Sequence, residues 1–154
     1  MAENSNISER VKKLRHRRIV IDTSVLVKFF IEEENSDFVN ELMILHQKTE
    51  LSLIAPPLII FEFLSVISKV YKNTEKAKGC LKKFYQCKIG MIDATYGYLE
   101  RGLEGACETS ASYYDSSYHA LAKEIQGVFL TADKKYYETM KSKGSIVLLS
   151  EIAA

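Results

Sequence analysis

The segment from Ile19 to Ile21 constrains the fold more than any other part of the chain. It contains only β-branched apolar residues, which is typical of a strand buried on both faces of a parallel sheet. Asp22, Thr23 and Ser24 follow, and from Val25 onward the apolar residues recur at helical spacing. The segment therefore predicts a strand, a short turn and a helix, with Asp22 at the carboxyl end of the strand, where open α/β sheets bind ligands. Taken alone, Asp22 is equally compatible with a simple helix N-cap.

The rest of the chain repeats this alternation of strands and helices. Four further apolar stretches predict strands, at 51–55, 88–93, 127–131 and 145–149, and helical periodicity fills most of the sequence between them. With right-handed crossovers, this alternation predicts an α/β fold, a three-layer sandwich with a central parallel sheet in strand order 3-2-1-4-5. In that order strands one and four are neighbours at the topological switch point, beside the crevice that binds ligands in such sheets.

Length and composition are those of a single globular domain. The 154 residues are 47% hydrophobic and 27% charged, and the net charge of +1 neither favours nor excludes a polyanionic partner. Residues 1–17 form a polar, basic N-terminal extension that we expect to be loosely ordered or weakly helical, and residues 18–154 form the domain. Without a membrane-length apolar run or a signal peptide, we expect a cytoplasmic protein with no membrane association. The three cysteines do not have the spacing of a disulfide framework or a zinc site.

Four acidic residues are predicted to converge on one crevice. Asp22 and Asp133 each follow one of the two central strands, Asp115 opens the helix that leads into strand four, and Glu62 lies early in the helix after strand two. Each acid alone has an ordinary explanation, as a helix cap, a favourable charge at a helix N-terminus or a solvated residue. Clustered carboxylates, however, repel one another and require a counter-charge. An all-oxygen cluster suits Mg²⁺ or Mn²⁺, which favours metal-dependent hydrolysis of phosphodiester bonds.

Four segments resemble, in order and spacing, the acidic motifs of PIN-domain ribonucleases, and most closely those of the VapC-like toxins of toxin–antitoxin pairs. They are IVIDTSVLVKFF, the PP…FEFL segment around Glu62, YYDSSYHALA and FLTADKKYY, and they span about Arg18 to Leu149. The resemblance implies a Mg²⁺- or Mn²⁺-dependent endoribonuclease with an RNA substrate, commonly a homodimer inhibited by an antitoxin protein. It also implies roles for six residues: catalysis and metal binding for Asp22, Glu62, Asp115 and Asp133, and supporting hydroxyls for Ser24 and Thr131.

Other functions stay open at this point. A non-toxin PIN protein acting in RNA processing and a non-catalytic PIN module that binds RNA or protein share the same motifs. A receiver-type phosphoacceptor domain and a haloacid-dehalogenase-type phosphatase both need a second acid beside Asp22, where the chain has Thr23 and Ser24. A dinucleotide site is disfavoured because no GxGxxG follows the first strand. We expect His119 to be structural rather than a general base, since a cation-activated water needs no protein base.

Overall fold

The computed structural model describes residues 2–154, with side chains from residue 6 onward. Its centre is one sheet formed by five strands: β1 (Arg18–Ile21), β2 (Ser52–Ala55), β3 (Gly90–Met91), β4 (Val128–Thr131) and β5 (Ile146–Leu148). All neighbouring strands are parallel, and their order is β3-β2-β1-β4-β5. The predicted fold class and strand order are therefore confirmed.

Helices connect the strands and cover the sheet. In chain order they are α1 (Ala2–Lys12), α2 (Thr23–Leu26), α3 (Ser36–Gln47), α4 (Leu58–Val70), α5 (Thr74–Gln86), α6 (Tyr96–Glu108), α7 (Tyr113–Glu124), α8 (Lys134–Met140) and α9 (Leu149–Ile152). Short 3₁₀ turns extend α2 and α8. Within residues 2–154 no helix is long and apolar enough to cross a lipid bilayer.

The core lies around β1, as the apolar run from Ile19 to Ile21 predicts. All three of these side chains are at most 1% exposed. The inner face of α4 presents Ile59, Phe63 and Ile67, spaced four residues apart and equally buried. Burial from both sides places β1 in the middle of the molecule, so that its carboxyl end is held rigidly.

The third strand is short. It lies within the stretch 88–93 that is predicted to contain it, and Gly90 and Met91 are the residues that pair with β2. Lys88 has a φ of 53°, in the left-handed region, which does not continue into a strand. As the edge strand β3 also has a neighbour on one side only, so its pairing is limited to these two residues.

The N-terminal extension is more ordered than expected. Residues 2–12 form α1, which packs on α3, and Val11 and Leu14 are 1% and 7% exposed within the hydrophobic core. The apolar residues Ile7, Val11 and Leu14 are spaced by four and three residues, which is the period of a buried helical face. Of the two expected states, a loosely ordered or a weakly helical segment, the structure shows a helix; its docking was not predicted because the abundant charges concealed this short stripe. The boundary between residues 17 and 18 stays a prediction.

Truncating Val11 to alanine should therefore destabilise the protein. Removing two buried methyl groups is expected to lower the free energy of unfolding by about 2 kcal/mol, from lost burial plus the cavity that remains. Urea denaturation measures this change. The exposed neighbour Lys13 provides the control, because Lys13→Ala should change stability by less than about 0.5 kcal/mol. Equal stability of Val11→Ala and the unmodified protein would contradict the docking of α1.

The two central strands approach each other closely at their amino ends. Gly127 immediately precedes β4, and a β-carbon at this position would lie 2.5 Å from the carbonyl oxygen of Arg18 in β1. Beyond this point the register pairs Ile19 with Val128 and Ile21 with Leu130. The register brings the ends of β1 and β4 side by side.

Candidate functional site

Asp22 is held by three hydrogen bonds at the carboxyl end of β1. Its Oδ1 accepts hydrogen bonds from the Ser24 hydroxyl at 2.5 Å and from the Val25 amide at 3.2 Å. Its Oδ2 accepts a hydrogen bond from the Thr131 hydroxyl at 2.6 Å, across to the end of β4. Asp22 is thus the N-cap of α2, as its sequence position allows, and it also joins the two central strands.

Burial dominates the electrostatics of Asp22. Loss of solvation raises the pKa of this carboxyl from 3.8 to about 6, although the hydrogen bonds from Ser24, Thr131 and Val25 favour the charged form and lower it. The negative charge of Asp115 raises the pKa further. A carboxylate in this environment is poorly stabilised as an anion by the protein alone.

The hydroxyls of Ser24 and Thr131 extend the network to the start of α8. Ser24 Oγ accepts a hydrogen bond from the Ala132 amide at 3.1 Å, and Thr131 Oγ1 accepts one from the Asp133 amide at 3.0 Å. Asp133 is the N-cap of α8 and accepts a hydrogen bond from the Tyr136 amide through Oδ1 at 3.0 Å. The two hydroxyls therefore connect the turn after β1 with the turn after β4.

Glu62 is oriented by a buried tyrosine. The Tyr118 phenol on α7 donates a hydrogen bond of 2.5 Å to Glu62 Oε1 on α4. Tyr118 is 2% exposed, and burial together with this hydrogen bond raises the pKa of its phenol, so that it remains a donor. The charge of Asp22 also raises the pKa of Tyr118, which shows that the two carboxylates face the same phenol.

Asp115 and Asp133 lie near a second buried phenol, that of Tyr136. Burial raises the pKa of Tyr136, and the negative charges of Asp115, Asp22 and Asp133 raise it further. Asp115 is in the first turn of α7, where its own amide donates to the N-cap Ser112. Each of the four acids singled out in the sequence thus lies close enough to Tyr118 or Tyr136 for its charge to raise the pKa of that phenol.

This arrangement suits a hard divalent cation that keeps part of its water shell. None of the ion pairs seen from residue 6 onward involves Asp22, Glu62, Asp115 or Asp133, so no ion pair with lysine or arginine neutralises them there. Over the same residues, no three His, Cys, Asp or Glu side chains form a ready-made metal cage. Mg²⁺ is commonly held by one or two carboxylates, water and substrate phosphates rather than by such a cage. The oxygen donors at this edge fit that mode of binding.

Tyr118 and Tyr136 contribute to the site, although neither was among the site residues singled out from the sequence. Each follows one of the acids by three residues, Tyr118 after Asp115 and Tyr136 after Asp133, which places it on the same helical face. This three-residue spacing from an acid is the sequence feature that could have identified the two tyrosines as part of the site. The sequence does not show that Tyr118 bonds to Glu62, because the two residues are 56 positions apart.

His119 has contacts typical of a structural residue. It is 2% exposed; Nε2 donates to the Gly144 carbonyl at 2.7 Å, which leaves Nδ1 to accept from the Tyr136 hydroxyl at 3.1 Å. Burial lowers the pKa of His119 and favours this neutral form. Both ring nitrogens are thus occupied in positioning Tyr136, in agreement with the structural role expected for this residue.

Replacing Thr131 by valine is expected to raise the pKa of Asp22 further above its ordinary value. The substitution removes a hydrogen bond that favours the charged carboxylate and keeps the side chain nearly isosteric. Titration of the Asp22 carboxyl carbon by NMR in metal-free buffer measures the change. Thr139→Val, which removes an exposed hydroxyl on α8, is the matched control. An unaltered titration in Thr131→Val would contradict the strand-to-strand hydrogen bond.

Comparison with known proteins identifies relatives by family and by fold. A sequence model of the PIN domain matches residues 19–141. A search of curated proteins finds no significant match. Among similar solved structures, FitAcB of Neisseria gonorrhoeae has a TM-score of 0.67 and 13% sequence identity, and the match covers 86% of this chain and 98% of that chain. VapBC2 of Rickettsia felis, bound to a promoter DNA fragment, has a TM-score of 0.65 and 16% identity, with coverage of 85% of this chain and 96% of that chain. VapC20 of Mycobacterium tuberculosis, a sarcin-ricin loop cleaving toxin, has a TM-score of 0.59 and 12% identity, with coverage of 78% of this chain and 93% of that chain. At these identities the likeness establishes the fold.

Proposed function

Because the chain belongs to the PIN domain family, we propose that it is a metal-dependent endoribonuclease that hydrolyses RNA phosphodiester bonds, and that it is the toxin of a type II toxin–antitoxin pair. The observation that carries this proposal is the placement of four acids near Tyr118 and Tyr136, together with the raised pKa of the partly buried Asp22. A cation bound there would compensate the charge of Asp22 and of its acidic neighbours.

Asp22, Asp115, Asp133 and Glu62 would hold the Mg²⁺ or Mn²⁺. Such a cation supplies charge stabilisation on the scissile phosphate and lowers the pKa of a bound water. The chain contributes positioning: Ser24 and Thr131 fix both oxygens of Asp22, and Tyr118 fixes one oxygen of Glu62. These contacts orient the carboxylates before substrate arrives, which reduces the reorganisation needed for catalysis.

The structural relatives support RNA as the substrate and an antitoxin as a partner. One of them is a sarcin-ricin loop cleaving toxin, and another is VapBC2 bound to promoter DNA. The exposed apolar side chains Tyr96 and Leu103, which are 82% and 55% exposed, support interfaces with other chains. We propose that the protein forms a homodimer and binds an antitoxin. Light scattering at micromolar concentration tests the dimer, and a monomeric mass would count against it.

The nuclease proposal is tested with the purified protein and a structured RNA. Cleavage should require added Mn²⁺ or Mg²⁺, stop with EDTA and recover when excess metal is restored. The Asp22→Asn protein, purified in the same way, identifies any contaminating nuclease. Metal-independent cleavage, or equal cleavage by both proteins, would overturn the proposal. Tight RNA binding without any cleavage would instead support a non-catalytic PIN module.

A further inference from the structure

A cavity of about 410 Å³ opens next to the acidic site, between α2 and α4. We refer to it as the Thr23 cavity, and it is lined by Thr23, Ser24, Val27, Glu62, Ser65 and Val66. Because Ser24 and Glu62 belong to both the cavity and the acidic network, any molecule in the cavity lies beside the carboxylates. Its volume is in the range of small-molecule sites.

The hydroxyls that line the cavity differ in how accessible they are. Thr23 Oγ1 is buried, so a ligand in the cavity does not reach it. The Ser24 hydroxyl already donates to Asp22 and accepts from the Ala132 amide. Ser65 is exposed on α4 and lines the cavity. Ser65 therefore carries the hydroxyl that a ligand in this cavity can reach.

The lining selects a neutral, flat ligand over a phosphate. No lysine or arginine lines it, so it offers a phosphate no basic partner. Val27 and Val66 supply apolar surface, while Ser65 supplies an accessible hydroxyl. A nucleobase has this combination of apolar faces and a hydrogen-bonding edge, and single-stranded RNA displays its bases unstacked.

An exposed aromatic residue lies one helical turn from the cavity. Phe61 precedes Ser65 by four residues on α4, so the two share a face of the helix, and its side chain is 73% exposed. Exposed aromatic rings provide stacking platforms for bases of single-stranded RNA. The Thr23 cavity and Phe61 together provide places for two neighbouring bases.

We propose that the Thr23 cavity binds the unpaired nucleobase of a nucleotide adjacent to the scissile phosphate, and so determines where RNA is cut. The proposal rests on the ribonuclease function proposed above. Ser65 contacts the edge of the base, Val27 and Val66 contact its faces, and Phe61 stacks on the next base. No basic residue lines the cavity, so the phosphates stay outside it, at the carboxylate edge where the proposed cation would bind.

The test combines a cavity variant with abasic RNA. The cleavage site in a single-stranded RNA is first mapped with the unmodified enzyme, and each flanking nucleotide is then replaced in turn by an abasic residue. One such replacement should raise KM about 10-fold, the size expected for one bound base. Ser65→Phe, which fills the cavity from an exposed helix position, should raise KM for the parent RNA with kcat within about twofold. The same abasic replacement should then have no further effect in Ser65→Phe.

Ser68→Ala is the matched control, because Ser68 is exposed on α4 and its hydroxyl bonds only to the Ser65 carbonyl. It should behave as the unmodified enzyme. If no abasic position matters, or if Ser65→Phe cleaves with unchanged KM and site choice, the base-binding proposal is overturned.

A binding measurement separates this proposal from the nuclease proposal. Fluorescence anisotropy in the non-cleaving Asp22→Asn background compares parent and abasic RNA, with and without Ser65→Phe. Base-dependent binding that Ser65→Phe abolishes supports the cavity even if the unmodified protein fails to cleave RNA, in which case only the nuclease function is wrong. Equal affinity for parent RNA and for every abasic RNA would overturn the base-binding proposal, whatever the cleavage assay shows.

Discussion

Asp22→Asn should reduce RNA cleavage at least about 100-fold and at the same time make the metal-free protein more stable at pH 7.5. The first effect follows because the amide is a weaker ligand for the cation and carries no charge. The second follows from burial, which raises the pKa of Asp22 from 3.8 to about 6. Ionising this carboxyl inside the folded protein costs about 3 kcal/mol relative to the unfolded chain.

The direction of the pH dependence is fixed by this pKa. A carboxyl whose pKa is raised by folding gives its full stabilisation below pH 4, in the protonated form, and loses it as the pH rises through about 6. The advantage of Asp22→Asn should therefore be about 1–3 kcal/mol at pH 7.5, after the loss of hydrogen bonds from Ser24 and Thr131 is included, and should vanish near pH 4.

Urea denaturation with EDTA at both pH values measures the stability change, and a thermal melt measures the response to metal. Mn²⁺ should raise the Tm of the unmodified protein but not that of Asp22→Asn. Asp37→Asn, at an exposed carboxylate on α3, controls for the general effect of removing a negative charge. A less stable Asp22→Asn protein at pH 7.5 would contradict the burial of an uncompensated carboxylate.

Gly127→Ala should give the largest loss of stability among the single substitutions considered. The new β-carbon would lie 2.5 Å from the Arg18 carbonyl oxygen and 3.2 Å from the Arg18 carbonyl carbon. Both are backbone atoms of the central strand pair, so no flexible side chain can move aside. We expect the free energy of unfolding to fall by about 3 kcal/mol, as in other overpacked sites.

Gly79→Ala is the opposite case and the natural control. Gly79 is exposed in the interior of α5, and no atom lies within 4 Å of the β-carbon that alanine would add. Alanine should stabilise this helix by about 0.5–1 kcal/mol. The two glycine-to-alanine substitutions should thus change the free energy of unfolding in opposite directions, and urea denaturation distinguishes them. Equal effects would mean that β1 and β4 are further apart than the structure indicates.

The sheet order was predictable from sequence because it depends on features that repeat along the chain. Apolar runs alternate with helical periodicity, and right-handed crossovers leave few possible topologies. The location of Asp22 and Asp133 after strands followed directly from that order. The docking of α1 did not, because three apolar residues among many charges give a weak signal and their partner, α3, is distant in sequence.

The sequence could suggest candidate residues for the site, but it could not give the contacts between them. Sequence position indicated which acids face the same edge of the sheet. It did not reveal that Glu62 accepts a hydrogen bond from Tyr118 or that Asp22 bonds to Thr131, because these partners are 56 and 109 residues apart.

The register of the two central strands limits how this chain can change in length. Ile21 opposes Leu130, so Asp22 and Thr131 meet one residue later at the ends of their strands. Side chains alternate between the two faces of a sheet, and inserting or deleting one residue within β1 or β4 would turn Asp22 or Thr131 to the opposite face. Libraries of single-codon insertions and deletions should therefore retain activity in the connecting loops and lose it inside these two strands.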